Sequence, residues 1–180
     1  ISGFIDGILD GTIPEEKEKE YLETVSSEVK RLSRLVVAML NLSKMESGEI
    51  GINPVKYSIQ TQIFEALFSM EQRINEKNIT INGLEEIGDV KIVADRDLIH
   101  QVVFNLIDNA VKFTPENGEI SFFAKGDSES TTVTIRNSGQ GVSPEQISRI
   151  FERFYKVDES RSFDVKGVGL GLYIVKTIIN

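Results

Sequence analysis

The sequence predicts an α+β protein: a helical hairpin, half of a dimeric four-helix bundle, followed by a two-layer α/β sandwich. Three observations carry this reading. Apolar residues from Leu22 to Met39 recur at helical spacing. Near residue 50 the pattern breaks at a cluster of glycine and proline. Beyond it, short alternating runs of strand type interleave with helical runs.

The first 48 residues read as all helix. A short amphipathic piece carries Ile1, Phe4, Ile5 and Leu9 and ends at Asp10-Gly11-Thr12. Thr12 is suited to cap the next helix, Pro14 to sit in its first turn, and Glu15 and Glu16 to face the positive end of its dipole. From there Leu22, Val25, Val29, Leu32, Val36 and Met39 follow at intervals of 3, 4, 3, 4 and 3, a heptad seam. Leu35, Leu40 and Leu42 widen the apolar face beyond that of a two-stranded coil. So broad a face predicts a four-helix bundle closed by a second copy, giving a homodimer.

Residues 47–54 hold two glycines and a proline and read as the linker, which divides the chain into 1–50 and 51–180. Ile59, Ile63, Phe64, Leu67 and Met70 then predict a helix. Ile79 and Ile81 predict a short strand, and Val90 to Val93 another. Asp95 caps a long helix through about Lys112, which stops before Pro115. Gly118–Lys125 and Thr132–Asn137 alternate around the turn Gly126-Asp127-Ser128-Glu129 and predict an antiparallel hairpin, with Ile120, Phe122, Ala124, Val133 and Ile135 inward. A last helix begins near Gly169. The expected product is three helices on one mixed sheet.

Composition narrows the function. Twenty basic against 28 acidic residues give a formal net charge of −8. That argues against nucleic acid as a partner, because a duplex needs a basic footprint. A local cluster of donors can still hold a phosphate in an acidic protein. There is no cysteine, which excludes disulfides and thiolate metal sites, and the lone His100 leaves no histidine cluster for zinc. The longest clean apolar run, Leu35 to Leu40, is six residues, against the roughly 20 of a spanning helix.

Three constellations carry chemistry. On the helix opened by Asp95, Asn105, Asn109 and Lys112 share an arc of about 60°. Ile99, Val103, Leu106 and Ala110 lie opposite and are expected to face the sheet. A carboxamide oxygen is a neutral hard ligand suited to Mg²⁺, and an ammonium one turn on suits a phosphate. The face equally fits a plain solvated one. The second constellation, Asn137-Ser138-Gly139-Gln140-Gly141-Val142, follows a strand. Its glycines let a backbone approach a flat ligand closely, and Asn137 can both donate to and accept from a purine edge; an ordinary glycine turn has the same composition. The third, Lys166-Gly167-Val168-Gly169-Leu170-Gly171-Leu172, runs into an apolar helix and offers free N–H groups to an anion, or a tight packing turn. It has neither Walker A nor Rossmann spacing. Between the last two, Phe151-Glu152-Arg153-Phe154-Tyr155-Lys156 leads into a polar stretch, Val157 to Val165, of the kind that forms a lid.

In this order, the runs Asn105–Phe113, Asn137–Gly141, Phe151–Tyr155 and Gly167–Leu172 closely resemble the N, G1, F and G2 boxes of bacterial sensor histidine kinases. The hairpin before them is similar to that family's dimerisation and phosphotransfer domain, so the resemblance spans essentially the whole chain. It implies that the second domain is an ATP-binding sandwich of the Bergerat type. Asn109 would be the Mg²⁺ ligand, with Asn105 nearby. Lys112 and Phe113 would line the nucleotide, and Lys156 would reach the terminal phosphate. Asn137 takes the position that holds the adenine amino group, with Gly139, Gly141 and Val142 beside it. Gly167, Val168, Gly169, Leu170, Gly171 and Leu172 would cradle phosphate under the lid, with Tyr155 at its root. Hydrolytic relatives place a glutamate base where this chain has Asn105; a carboxamide cannot take a proton from water, so the site is expected to hold ATP for transfer.

Three departures bear on the details. The adenine-binding residue is usually aspartate, and here is Asn137. Lys166 stands where a further glycine is common. His100 is followed by Gln101 and Val102, with Asn105 five positions on, and so lacks the acidic residue and proline that follow the family's phosphoacceptor. The acceptor histidine is therefore expected upstream of Ile1, so that this chain binds ATP without phosphorylating itself; a further hairpin is expected after Asn180. The implied partners are a second copy and a response regulator receiver domain. The chain is expected to be a cytoplasmic part of a protein held in the bacterial membrane by upstream segments. An anti-sigma-factor-type serine kinase, which lacks the long hairpin, and a non-catalytic ATP-binding scaffold are the alternatives.

Overall fold

A computed structural model describes residues 1–46, 51–126, 130–157 and 169–180, with only some of the side chains in 27–46. The chain forms two compact units, Ile1–Glu49 and Ile50–Asn180.

The first unit holds α1 (Ser2–Leu9) and α2 (Glu15–Glu46). The two pack where Phe4 meets Tyr21, with ring centroids 5.1 Å apart. Thr12 does not cap α2: its N–H donates to Asp10 Oδ1 at 3.0 Å, and the helix starts at Glu15, directly after Pro14. The Asp10-Gly11-Thr12 segment closes its own turn instead, with Gly11 at φ 74°. Val25 of the heptad seam is buried, whereas Leu22, Val29, Leu32, Val36 and Met39 are each about half exposed, as is Leu40. The side chains of Leu35 and Leu42 lie outside the described residues.

The second unit runs β1 (Pro54–Ser58), α3 (Ile59–Ser69), α4 (Glu71–Glu76), β2 (Thr80–Asn82), β3 (Lys91–Asp95), α5 (Arg96–Phe113), β4 (Glu119–Gly126), β5 (Thr131–Asn137), α6 (Pro144–Ile147) and α7 (Gly171–Ile179). The single mixed sheet expected from the sequence is replaced by two hydrogen-bonded groups. β1 pairs antiparallel with β3, in register Pro54 to Asp95. β2 pairs parallel with β4, and β4 antiparallel with β5. Pro54, expected in the linker, is thus the first residue of a strand, a position where its missing N–H is tolerated. Met70 divides the helix expected over 59–70 from a further short one, α4. The final helix begins at Gly171, two residues later than expected.

The core is built from one face of each element. Ile59, Ile63, Ala66 and Leu67 of α3, Val103, Ile107, Ala110 and Val111 of α5, and Ile120 and Phe122 of β4 form one buried cluster. Ala124, Val133 and Ile135 pack against it, as the hairpin alternation requires. Each large apolar side chain buried here contributes roughly 1.5–3 kcal/mol. The turn residues 127–129 lie outside the described ones. Among the described residues no helix is long and apolar enough to cross a membrane.

Candidate functional site

The site is organised by α5, whose ends are fixed by different means. At its start Asp95 Oδ1 accepts from the N–H groups of Asp97 and Leu98, both at 3.1 Å, while Oδ2 accepts from Asn53 N–H at 2.9 Å. These bonds, that from Asn53 foremost, hold the Asp95 carboxyl below its ordinary range. Nearby, Gln62, fully buried on α3, donates from Nε2 to Arg96 O at 2.6 Å. At the far end Thr114 N–H and Oγ1 both donate to Ala110 O. Pro115 follows and cannot continue the helix.

The dry side of α5 is broader than its sequence suggests. Val102, Val103, Ile107, Ala110 and Val111 are buried, while Leu106, expected to face the sheet, is only partly so. The difference arises because α3 and α7 flank the helix in addition to the strands behind it. Asn105, Asn109 and Lys112 remain on the half-exposed side.

Their surroundings differ. Asn105 Nδ2 donates to Gln101 O of its own helix at 2.8 Å. Its Oδ1 lies against Gly171 at the start of α7, 3.0 Å from where a Cβ would stand. Asn105 thus lies where α5 and α7 approach each other. Asn109, one turn on, is half-buried. Lys112 Nζ stands 4.9 Å from the centre of the Phe113 ring. Burial lowers its pKa, Asp108 opposes that, and the positive charges of Lys156 and Arg73 add to the lowering. Two of the sequence-selected cations, Lys112 and Lys156, thus act on one another in a chain whose net charge is negative.

Both described glycine turns touch this helix or its neighbours. Gly139 lies so close to the end of α5 that a Cβ would stand 2.1 Å from Phe113 O and 2.7 Å from Asn137 Nδ2. Phe113, Asn137 and Gly139 are thereby brought together, and only glycine fits. Gly141 has open space around it and Val142 is exposed, so these two extend away from that contact. Gly169, at φ 77°, abuts Phe154 and Tyr155, and Phe154 N–H donates to Gly169 O at 3.0 Å. Phe154 itself sits at φ 62°, a strained conformation for a bulky residue. Arg149 stacks 4.4 Å over the Tyr155 ring. Leu170 is buried and Leu172 partly so. Gly167, Val168, Lys166 and the expected lid segment 158–165 lie outside the described residues. His100 stands away from these groups, its Nδ1 3.9 Å from Glu65 Oε2 and its ring beside Phe104. Sequence reasoning missed Asp108, Arg73 and Lys77, which act on the same end of α5 through contacts distant in sequence.

The arrangement can hold an anion and a hard cation: cationic Lys112 and Lys156, the Asn109 carboxamide, and backbone held close by glycine. Among the described residues no group of three His, Cys, Asp or Glu side chains forms a metal site of its own.

Known proteins carry the same pattern. A family described as histidine kinase-, DNA gyrase B-, and HSP90-like ATPase matches residues 94–180. Sensor protein SrrB of Staphylococcus aureus (strain N315) is 33% identical over 99% of this chain and 31% of its own length. The chain therefore spans about a third of the curated relatives it matches. Among solved structures, the catalytic domain of histidine kinase ThkA is 30% identical, with a TM-score of 0.60 over 71% of this chain and 81% of that one. ThkA in complex with response regulator protein TrrA is 28% identical, with a TM-score of 0.70 over 86% and 45%. Full-length ShkA in complex with AMPPNP is 26% identical, with a TM-score of 0.73 over 97% and 36%. With its boxes in order on this fold, the chain belongs to the sensor histidine kinases and carries their ATPase-like catalytic domain.

Proposed function

We propose that the second unit binds ATP with Mg²⁺ and that the whole protein transfers the γ-phosphoryl group to a histidine, for relay to an aspartate of a response regulator. The observation that carries this is the position of α5. One helix bears the carboxamide-and-ammonium face and touches both glycine turns, at Phe113–Gly139 and Asn105–Gly171. The AMPPNP complex of ShkA and the TrrA complex of ThkA support the nucleotide and the partner class.

The donor set fits Mg²⁺ that arrives with its nucleotide. Asn105 Nδ2 donates to Gln101 O and the side chain lies beside Gly171; Asn109, one turn on, is taken as the protein ligand. One neutral oxygen suits an ion that keeps several waters and takes the rest of its shell from phosphate. Bound there, the ion would neutralise developing charge on the phosphates. Lys112 and Lys156 would contribute the same from the protein, Asn137 would read the adenine edge, and Gly169 to Leu172 would approach the phosphates by backbone. No residue at position 105 can take a proton from water, which favours transfer over hydrolysis.

The half-exposed seam Leu22, Val29, Leu32, Val36 and Met39 supports a second copy packing on α2, and so a homodimer through a helical hairpin that also carries the receiver dock. On this reading the membrane is reached through segments outside these 180 residues. His100 of α5, beside Glu65 of α3 and Phe104, is on this reading a structural residue and not the acceptor.

The test is a calorimetric titration of ATP and Mg²⁺ into the chain, followed by transfer of labelled phosphate. Binding is expected to be saturable, Mg²⁺-dependent and weakened by Asn109→Ala. Acid-labile phosphate is expected only when a histidine-bearing first hairpin helix is supplied. Absence of nucleotide binding by the unaltered chain would overturn the reading.

A further inference from the structure

The geometry points to α4 and its C-cap residue as a two-cation clamp: Arg73 and Lys77 position the Asn109–Phe113 stretch of α5 for the triphosphate. This rests on the nucleotide reading above and assigns a role to two residues outside the four boxes.

Arg73 and Lys77 are four positions apart and project from one side of the helical turn. Met70 and Ile74, both buried, fix that turn on the core. Arg73 Nη1 pairs with Asp108 Oδ1 at 2.5 Å. Lys77 Nζ donates to three carbonyls, Val111 O at 3.0 Å, Lys112 O at 2.9 Å and Thr114 O at 2.8 Å. An ammonium has three protons to give, and all three find partners at the end of one helix.

A helix leaves its last four carbonyls without partners in its own ladder. In α5, Ala110 O accepts from Thr114, and Val111 O and Lys112 O accept from Lys77. Phe113 O is the carbonyl that meets Gly139. Lys77 thus satisfies the carbonyls on either side of the nucleotide-facing turn and places a positive charge at the negative end of the dipole. Its own position is fixed from behind. Lys77 O accepts from Asn117 N–H at 2.8 Å, Asn78 Nδ2 donates to Asn117 Oδ1 at 2.7 Å, and Thr80 N–H donates to Gly118 O at 2.9 Å.

The clamp acts where the core does not. Phe113 is 53% exposed and Lys112 half-buried, so apolar packing alone does not fix their directions. Arg73 has a second effect. By pairing with Asp108 it engages the carboxylate that also acts on Lys112, which favours phosphate as that ammonium's partner.

The test compares affinities for Mg·ATP and for adenosine, which lacks the phosphates, in the unaltered chain and in Lys77→Met, Lys77→Arg and Arg73→Gln. In Lys77→Met the Mg·ATP affinity is expected to fall on the order of tenfold, the scale of a lost charge-assisted contact, with adenosine affinity little changed. Lys77→Arg, which keeps charge and donors, should recover part of it. Arg73→Gln alters an exposed pair of the kind that contributes little to stability, and should lose about threefold on the same scale. Equal losses for both ligands, or an unchanged ratio in the folded Arg73→Gln protein, would overturn the clamp. Should Lys77→Met not fold, Arg73→Gln decides. An unaltered chain that binds no Mg·ATP overturns the nucleotide reading, and the clamp with it.

Discussion

Gly139 and Gly141 stand two apart in one turn, yet the structure assigns them opposite tolerance. A methyl group on Gly139 would sit 2.1 Å from Phe113 O and 2.9 Å from Phe113 C, whereas one on Gly141 meets nothing within 4 Å. Ordinary carbon–oxygen approach is about 3.3 Å or more, so Gly139→Ala must open the contact by about 1 Å. Both sides of it are backbone, and no side chain can rotate away. Overpacking of this kind costs about 1–3 kcal/mol, and the upper end applies here because the end of α5 is held by Thr114 and Lys77. For a unit of this size, about 3 kcal/mol lowers Tm by roughly 10 °C. Gly141→Ala, at an exposed site, should stay within about 0.5 kcal/mol of the unaltered chain. Thermal unfolding by circular dichroism, with Mg·ATP calorimetry on the same samples, reads both. Gly139→Ala should also weaken nucleotide binding, because relief of the clash moves Phe113 or Asn137. Equal melting temperatures for the two variants would refute the reasoning.

Three further outcomes follow from named groups. Asp95→Ala should cost about 1–2 kcal/mol in chemical denaturation at neutral pH, the value of an N-cap. Because the folded carboxyl is held below its ordinary 3.8, that difference should be complete above about pH 5 and be lost as pH falls through the lowered value. Lys112 has a lowered pKa through burial, and phosphate beside it would raise that pKa again. Mg·ATP binding should therefore take up protons in alkaline solution below the ordinary lysine value of 10.5. Calorimetry in buffers of different ionisation enthalpy should detect this, and Lys112→Met should abolish it. Asn137→Asp should tighten adenosine binding several-fold, since a charged acceptor makes a bond roughly twice as strong; unchanged or weaker binding would remove Asn137 from the adenine edge.

The elements legible in the sequence are those whose signals are local. Asp95 announces α5 as its cap, and the alternation through Ile120, Phe122, Val133 and Ile135 announces the β4–β5 pair. β1 escaped because Pro54-Val55-Lys56-Tyr57-Ser58 begins with a helix- and strand-breaker and is largely exposed, so its identity comes from pairing with β3 some 40 positions away. The break at Met70 is hidden because apolar spacing continues across it into Ile74. The candidate site divides the same way. Side chains sharing one face of α5 follow from helical period, and the crowding of Gly139 fits the glycine pattern. That Asn105 lies against Gly171, and that Lys77 caps α5, depends on tertiary approach and leaves no local trace.

Asp95 joins two parts of the chain as well as capping a helix. Its two oxygens face different ways, one to the first turn of α5 and the other to Asn53, at the entrance to the second unit. Tension on the chain at Asn53 would thus be delivered to the root of the helix that bears Asn109 and Lys112, with the Asp95 carboxylate as a coupling pin beside the β1–β3 ladder.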